Sequence, residues 1–495
     1  MSVSKPGMPG RLRLYAAAFI SPLLCCCAVG PDFVRPKAPA VEHYAFGGDP
    51  VATDDAQGTA QHFTAGARLR ADWWHLFNNP QVDAVVAEAL RNNPGLEAAQ
   101  ASLRQSQDTL RGGYGIFFPQ VQGGASATRE RFSALQLGDR VPSSVFNLFT
   151  LSASVSYALD VFGGERRMIE QLHSQVDLQR ADERATYLTL ISNIVNTIVA
   201  KAAYKAEIDA TQGLIDLGSE QVKLAEIQAK AGTVAYSNVL SLQSQLASYE
   251  ATIPQLQQKL SQSDDLLAAL VGRAPAEWAA PEVNLNELTL PGELPVELPS
   301  QLVSQRPDIL IAEATAHAAS AGVGVATAAL LPSITLDGTY SANGLTTGSL
   351  LSSSGREWGM GANLSAPLFQ GGTLWYRRKA AIDNYKQAAA LYRQTVLGAF
   401  EQVADTLRAL EHDAAALKAQ DLALTTAEQA LKLVQVNYAA GLGTYLDVLN
   451  ADAQYRQAQI NDLQSIAVRY QDTVALYVAL GGGWWNDPLR RARND

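Results

Sequence analysis

Four short segments of the chain alternate strictly between apolar and small polar residues. In the clearest, 149–157, Phe, Leu, Ala, Val and Tyr alternate with Thr and Ser. The other three are 121–128, 334–341 and 358–365. A period of two predicts β-strands whose two faces meet different surroundings. Because the polar positions are mostly Ser, Thr, Gly and Asn, without the Lys, Glu and Arg typical of a soluble sandwich, the pattern favours membrane-barrel strands with lipid outside and water inside.

The segments that join the strands of each pair are rich in Ser and Gly and carry scattered charges. These segments, Glu130–Asn147 and Asn343–Arg356, are predicted to be extracellular loops. Tyr157, Tyr340 and Trp358 lie where the aromatic girdle of a barrel is found, although a single aromatic residue on a strand as often packs against its neighbours.

Two very long stretches, 166–230 and 374–439, contain no proline and predict helices. About 65 residues at 1.5 Å per residue span roughly 100 Å, which no compact core needs. In the second stretch apolar residues recur at alternating spacings of three and four, typical of a coiled-coil seam: Leu424, Ala427, Leu431, Val434 and Tyr438. Glycine turns then lead into returning helices over 236–270 and 445–480, of which the first is expected to be interrupted and bent at Pro254.

This order of strands, long helix and returning helix occurs twice along the chain. Phe118-Pro119 matches Leu331-Pro332, and Ala231-Gly232 matches Ala440-Gly441 at a similar displacement. Such spaced self-similarity indicates two tandem repeats.

The N-terminus has the layout of an export signal. A basic start is followed by an apolar stretch from Leu14 to Leu24 and then by Cys25, Cys26 and Cys27. The mature protein is therefore expected outside the cytoplasm. Because the chain has 3 cysteines and all are in this cluster, no disulfide or thiolate metal site is expected elsewhere.

The bulk composition excludes several classes of protein. The 495 residues carry a formal charge of -10 without clustered Lys or Arg, which argues against nucleic acid as a partner. After residue 30 no uninterrupted apolar run approaches the roughly 20 residues of a spanning helix, which argues against a helical membrane protein. No glycine loop ends in Lys-Ser or Lys-Thr, and the 6 histidines are scattered, so neither an enzyme, a metal site nor a cofactor is predicted.

Four membrane strands do not close a barrel, and an open edge in lipid leaves backbone groups unpaired. The chain is therefore expected to oligomerise. Two copies would give about eight strands with a filled interior, whereas about twelve or more leave room for water. This argument leaves three and four copies open.

Six short motifs occur in a fixed order along the chain. They are GPDF at 30–33, WWHLF at 73–77, RPD at 306–308, PLFQGG at 367–372, GTYLDVL at 443–449 and ALGGGW at 479–484. Together they resemble the outer-membrane efflux protein family of TolC and OprM, in particular its NodT-like lipoprotein branch.

The resemblance implies an α/β membrane protein that forms a homotrimer, with a barrel of twelve strands continued by a helical periplasmic tunnel. It implies docking to a periplasmic adaptor of the membrane fusion class and, through it, to an inner-membrane pump of the RND type. The expected function is a passive outer-membrane duct of a tripartite efflux pump that exports small molecules such as drugs or metals.

The start Cys27-Ala-Val-Gly-Pro-Asp-Phe resembles the mature N-terminus of efflux lipoproteins. This implies a diacylglycerol and an N-acyl chain on Cys27 and insertion in outer-membrane lipid. Having Ala28 after the cysteine, rather than an aspartate, resembles lipoproteins that are sorted to the outer membrane. Since Cys26 is larger than the residue that usually precedes the acylated cysteine, Cys25 and Cys26 stay as alternatives.

The predicted organisation has six parts. They are a signal peptide (1–26), a lipidated N-terminal tether (27–72), a first repeat (73–274), a proline-rich connector in the equatorial region (275–300), a second repeat (301–485) and a C-terminal tail (486–495).

The resemblance also places a periplasmic gate at Asp447 and Asn450, one helical turn apart. Three copies of Asp447 would form a ring that attracts cations. From the residues alone, an exposed aspartate at a helix start beside a glycine turn is the favoured explanation of Asp447. In the first repeat, Asn238 stands at the equivalent position, where the resemblance implies an aspartate in many relatives. The turn residues implied to meet the adaptor are Gly232, Thr233, Gly441, Gly443 and Thr444.

Two rival functions fit part of the pattern. The duct of a type I protein-secretion system would use the same channel with another pump. A structural lipoprotein that spans the periplasm without conducting is disfavoured by the Ser- and Thr-rich strand faces.

Overall fold

The computed structural model describes residues 28–67, 69–133 and 143–486. The predicted signal peptide, the three cysteines Cys25, Cys26 and Cys27, and nearly all of the predicted C-terminal tail lie outside these residues. Two compact units are present. Unit 1 contains 28–35, Arg104–Leu178 and Ala312–Tyr392, and unit 2 contains Pro36–Leu103, Gln179–Ile311 and 393–486.

The described residues form six strands and eight α-helices. The strands are β1 (His62–Ala65), β2 (Gln120–Phe132), β3 (Ser144–Leu159), β4 (Glu293–Val296), β5 (Ser333–Gly344) and β6 (Arg356–Ser365). The helices are α1 (Pro80–Asn92), α2 (Pro94–Gly113), α3 (Gly164–Lys230), α4 (Tyr236–Val271), α5 (Pro299–Leu302), α6 (Pro307–Ala328), α7 (Thr373–Ala439) and α8 (Tyr445–Ala479).

Unit 1 holds an antiparallel sheet of four strands in the order β2-β3-β5-β6. One row across the sheet consists of Val121, Val155, Gly338 and Met360, each opposite the next. Residues directly opposite in an antiparallel pair point to the same face. The four predicted apolar rows therefore share one face of one sheet, as their alternation requires.

The first predicted loop is shorter in the structure than in the prediction. Strand β2 continues to Phe132 and β3 begins at Ser144, so 130–132 and 144–147 belong to strands, while 134–142 lie outside the described residues. The prediction was wrong at these margins because the alternation of apolar and small residues stops there, whereas the backbone pairing does not. The second loop runs from the end of β5 at Gly344 to the start of β6 at Arg356 and contains two 3-10 turns.

The two long helices are confirmed. Helices α3 and α7 have 67 residues each, which gives roughly 100 Å of helix apiece. Along the predicted seam of α7 in unit 2, Leu431 is buried, whereas Leu433 on another face is 62% exposed. The seam is therefore the packed side of this helix, although its last predicted member, Tyr438, is 47% exposed.

Pro254 does not interrupt the first returning helix, contrary to the prediction. Helix α4 is continuous from Tyr236 to Val271 with Pro254 inside it. Proline removes one backbone donor, which leaves the carbonyl of Glu250 without its usual partner. Because Pro254 and Glu250 are both exposed, water can hydrate that carbonyl and the helix tolerates the loss.

The segment predicted as an N-terminal tether is partly ordered secondary structure in unit 2. Strand β1 pairs in parallel with β4, which lies inside the predicted proline-rich connector. Phe63 and Leu69 are buried, and Gln61 is fully buried. Regular structure thus begins before Trp73, inside the segment predicted as a tether (27–72). The partner strand lies more than 200 residues away, so no local pattern announces the pairing.

Helix α6 is the one helix among the described residues with the length and apolar composition of a membrane span. It has 22 residues and a mean hydropathy of 1.4 in its most apolar window. Its Ala316 and Ala319 pack with Ala388 in a core cluster of unit 1, against Phe33 and Tyr385. Packing within the protein accounts for the small apolar side chains of this helix.

Candidate functional site: membrane sheet, helical tip and N-terminal attachment

The apolar face of the four-stranded sheet is exposed across all its strands. Met360 is 84% exposed, Trp358 73%, Val121 70% and Leu364 66%. A contiguous apolar surface of this kind requires an apolar environment. Combined with strand lengths of 10 to 16 residues, it is the lipid-facing surface of membrane strands.

The opposite face carries hydroxyl and amide groups that bond across the strands. Ser156 Oγ donates to Asp337 Oδ1 at 2.9 Å, and Thr150 Oγ1 donates to Asn343 Oδ1 at 2.8 Å. These side chains are short and can be hydrated, so this face is suited to line a water-filled pore.

Strands β2 and β6 are the two edges of the sheet, and each has a single strand neighbour among the described residues. Each edge presents backbone N–H and C=O groups that the hydrocarbon of a membrane does not satisfy. Further strands must therefore pair with both edges before the sheet is stable in lipid.

Both tips of the long helices end in a glycine turn. Gly232 follows α3 and Gly441 follows α7, and each has a φ of 72°, a conformation that favours glycine. At the first turn Thr233 donates to the carbonyl of Gln228 from its backbone N, at 3.0 Å, and from its hydroxyl, at 2.9 Å. At the second turn the backbone N of Leu442 donates to the carbonyl of Asn437 at 2.8 Å.

Thr444 and Asp447 form a capping box at the start of α8. The backbone N of Asp447 donates to Thr444 Oγ1 at 3.2 Å, and the backbone N of Thr444 donates to Asp447 Oδ2 at 2.9 Å. The Thr444 hydroxyl also donates to Oδ2 at 2.6 Å, and these bonds hold the pKa of the Asp447 carboxyl below its usual value. Asp447 is exposed and ionised, and its position is the helix-start arrangement that the residues alone suggested.

The first tip is the structural counterpart of the second without these caps. Ala235 takes the place of Thr444 and provides no side-chain cap, and Asn238 takes the place of Asp447. The structure thus places Asn238 where the repeat comparison expected it.

Two hydrogen bonds tie the start of α8 to α3 within unit 2. The Tyr445 hydroxyl donates to Glu220 Oε2 at 2.5 Å, which raises the pKa of that hydroxyl. Gln221 Nε2 donates to Asn450 Oδ1 at 3.4 Å, so the predicted gate residue Asn450 contacts α3 as well. Sequence reasoning missed Tyr445, Glu220 and Gln221. The one signal in the sequence that points to this contact is that each returning helix begins with a tyrosine, Tyr236 in the first and Tyr445 in the second.

The first described residues attach to the corner where β3 leads into α3 in unit 1. The backbone N of Val29 donates to the carbonyl of Phe162 at 3.0 Å. Ala28 lies so close to Gly163 that a Cβ on Gly163 would come within 2.6 Å of the Ala28 Cα. Residue 28 is therefore held beside the end of β3 that is opposite its extracellular loop.

The GPDF motif owes its residue types to this attachment. Asp32 Oδ1 accepts from Arg167 at 2.6 Å, and the Arg167 side chain is only 6% exposed. Phe33 stacks on His317 with ring centroids 4.4 Å apart, and His317 Nε2 lies 2.9 Å from Glu170 Oε1. The charge pair and the stacked rings fix the chain on α3 and α6.

Within the part of the chain that the structure describes, no group of three or more His, Cys, Asp or Glu residues could hold a metal ion.

Comparison with known proteins decides what this architecture belongs to. The sequence pattern of the outer membrane efflux protein family matches residues 85–273 and 298–482, which is most of the chain. The chain belongs to the outer membrane efflux protein family. Its two matched segments each contain one pair of membrane strands, one long helix and one returning helix.

Individual efflux proteins match over nearly the whole length. The chain is 29% identical to the pyoverdine export outer membrane protein OpmQ of Pseudomonas aeruginosa, over 91% of this chain and 97% of that protein. It is 26% identical to the probable outer membrane lipoprotein SilC of Salmonella typhimurium, over 96% of this chain and 99% of that protein. The solved structure of the outer-membrane channel OprN superposes with a TM-score of 0.80 at 27% identity and covers 92% of this chain and 100% of OprN.

These findings confirm the predicted fold class and the predicted function at the level of the family. This efflux protein is an outer-membrane duct for small molecules that lies in the cell outer membrane and extends into the periplasm. The family consists of passive channels and not of enzymes.

Proposed function

We propose that three copies of this efflux protein close one barrel of twelve strands and form a passive duct. The duct would work with a periplasmic adaptor and an RND-type inner-membrane pump. The observation that carries the proposal is the sheet of unit 1, with one apolar face, one hydroxyl-rich face and two unpaired edges. Two copies would satisfy the edges but fill the interior with side chains, whereas more than two leave a wet interior, and three is the number that the resemblance to the efflux family implies.

The test is the native mass of the purified protein in detergent together with its single-channel conductance in a planar bilayer. We expect a trimeric mass and small, gated currents that favour cations. A monomeric mass without current would overturn the proposal.

The proposal includes an acyl anchor on Cys27. Ala28, the residue that follows Cys27 in the sequence, is fixed beside Gly163 at the periplasmic end of the membrane strands. An acyl anchor on the residue before Ala28 would therefore reach the inner leaflet of the outer membrane without unfolding any described segment.

Mass spectrometry of the mature N-terminal peptide tests this anchor. We expect the peptide to begin at Cys27 with the mass of three acyl chains, and Cys27→Ser to abolish the modification. Cys25→Ser and Cys26→Ser serve as matched controls and should keep it. Lipid on another cysteine, or an unmodified Cys27, would contradict the assignment.

We place the gate at the start of α8, where Tyr445 and Asn450 contact α3. The hydrogen bond from Tyr445 to Glu220 holds this end of α8 against the longer helix. The glycine turns beside it, with Gly232, Thr233, Gly441, Gly443 and Thr444, are exposed or half-buried and available to an adaptor. An adaptor that competes for these turns would release α8 and widen the duct.

Replacing Tyr445 by phenylalanine should increase the resting conductance, because it removes the hydroxyl that binds Glu220 and leaves the ring in place. Single-channel recording is the measurement. Tyr438→Phe is a matched control, since its ring lies 5.6 Å from that of Tyr445 on the same tip. Equal open probability in Tyr445→Phe and the unmodified protein would show that the hydrogen bond from Tyr445 to Glu220 does not hold the duct closed.

The charge of Asp447 has a separate readout in the same recordings. Asp447→Asn keeps an oxygen that can cap α8 but removes the carboxylate, so cation selectivity and block by divalent cations should fall without a larger open probability. Unchanged selectivity and block would show that Asp447 serves only as a helix cap.

In this proposal the inner-membrane pump, and not the duct, selects the exported molecule. OpmQ is named for pyoverdine export and the Escherichia coli protein CusC, 28% identical, for cation efflux, so one architecture serves different cargoes. The lining of short hydroxyl and amide groups is consistent with a duct of low selectivity for small molecules.

A further inference from the structure

Three arginines stand on the lipid-facing side of the sheet at its extracellular end. Arg129 and Arg131 are near the end of β2, and Arg356 opens β6. The register puts Arg131 opposite Val145 and Arg356 opposite Ala342, both of which belong to the apolar rows. All three arginines are exposed.

The acidic residues of the sheet lie on the other face. Glu130 is opposite Phe146 and Glu357 is opposite Ser341, and both pairs belong to the pore-facing rows, as does Asp337. Strand alternation therefore separates the charges by sign, with arginine outside and carboxylate inside. Solubility alone would favour either sign of charge on either face. The outer surface at this level is therefore specifically positive.

An aromatic pair marks the level of the membrane interface next to these arginines. Tyr340 and Trp358 are directly opposite each other on the outer face and are 49% and 73% exposed. Amphipathic rings of this kind concentrate at the headgroup level of barrels. Arg356 lies two residues farther out along β6, which is roughly 7 Å at 3.4 Å per residue. Its guanidinium is therefore at the depth of the lipid headgroups.

We propose that Arg129, Arg131 and Arg356 bind the phosphate groups of a phosphorylated glycolipid in the outer leaflet. A guanidinium offers five donors in a planar fork that fits phosphate oxygens, and Arg356 uses one of them on the carbonyl of Leu351, at 3.4 Å. Among the described residues none of the three has a carboxylate within ion-pair distance. The inference rests on the membrane orientation of the sheet and not on the gate or the copy number.

In a barrel closed by copies of this chain, β6 of one copy is the neighbour of β2 of the next. The arginines of the two edge strands then form one basic surface across each seam between copies. A glycolipid with more than one phosphate can bridge that seam. Its binding should therefore stabilise the assembled form as well as occupy the surface.

The test compares the unmodified protein with the triple variant Arg129→Gln, Arg131→Gln, Arg356→Gln. Both are purified in detergent from outer membranes, and retained lipopolysaccharide is measured by native mass spectrometry. We expect a several-fold loss of retained glycolipid in the triple variant. The double variant Glu130→Gln, Glu357→Gln is the matched control, because it changes charge at the same strand ends on the inner face, and it should retain the glycolipid. Equal retention in the triple variant and the unmodified protein would overturn the proposal.

Added probes distinguish the source of the phosphate. After delipidation, phosphorylated lipopolysaccharide should raise the melting temperature of the unmodified protein and of the double variant, and not that of the triple variant. The same material with its phosphates removed should have little effect, and an equal effect would assign the binding to apolar contact. An equal rise with inorganic phosphate alone would indicate a site for free anions and would contradict the lipid assignment. Arg356→Gln alone, which changes a single residue, provides the same comparison if the triple variant does not fold.

Discussion

Replacing Arg469 by methionine is expected to destabilise unit 2 by about 3 kcal/mol or more. The Arg469 side chain is almost completely buried, and burial lowers the pKa of its guanidinium. It donates to the carbonyl of Thr59 at 2.9 Å, to Gln61 Oε1 at 3.1 Å and to Thr53 Oγ1 at 3.2 Å. Methionine fills much of the volume but donates no hydrogen bond, so these buried acceptors would lose their partner.

The local consequence is release of the N-terminal segment from α8. Limited proteolysis of residues 53–61, followed by mass spectrometry, measures that release. Three kcal/mol corresponds to roughly a hundredfold faster cleavage when opening is rapid. Lys418→Gln is the matched control, because Lys418 pairs with Asp54 of the same segment while both side chains are more than half exposed. Such exposed pairs contribute little. Wild-type cleavage and melting in Arg469→Met would show that the segment is held by other contacts.

The second large effect is expected for Met360→Arg, which should prevent stable insertion of the protein in the outer membrane. Met360 lies in the apolar row with Val121, Val155 and Gly338, and it is 84% exposed on the lipid-facing side. An arginine facing lipid in a barrel costs about 2–4 kcal/mol at the middle of the membrane and less toward the interfaces, and Met360 lies about 7 Å inside the level of Trp358. Each copy in an assembly would bear that cost, which makes the assembled barrel unfavourable.

The neighbouring residue provides the control. Gly361 faces the pore, and a Cβ built on it meets no atom within 4 Å, so Gly361→Arg has room for its side chain in water. We expect Gly361→Arg to assemble normally and to reduce cation selectivity. The amount of oligomer in outer-membrane fractions measures both variants. Equal assembly of Met360→Arg and Gly361→Arg would show that the two faces are assigned incorrectly.

Much of this architecture follows from local periodicity. Alternation over 149–157 is enough to predict a strand and its two faces, because successive side chains point to opposite sides of a sheet. The long helices follow from proline-free stretches bounded by glycine turns at Gly232 and Gly441, since the conformation that reverses the chain favours glycine. Both signals depend on neighbours a few residues apart.

The candidate site was predicted only in part for the same reason. The resemblance to the family motif identified Asp447 as a gate residue. The residues next to Asp447 by themselves predicted only an aspartate at the start of a helix. The capping box with Thr444 is local, and three residues of sequence contain it. The bond from Tyr445 to Glu220 joins positions 225 residues apart, and nothing near Tyr445 indicates its partner.

The sequence by itself determined the strands and the faces they expose, the two long helices and the repeat that orders them, because each is a periodic pattern within one element. Only the tertiary structure decided that β1 pairs with β4 and that Arg469, charged and placed in an otherwise ordinary amphipathic helix, is buried against Gln61, 408 residues earlier. It also placed Asp32 on Arg167 and all four apolar rows on one face. Such contacts depend on which distant surfaces complete each other's hydrogen bonds and packing, and a local pattern carries no record of its distant partner.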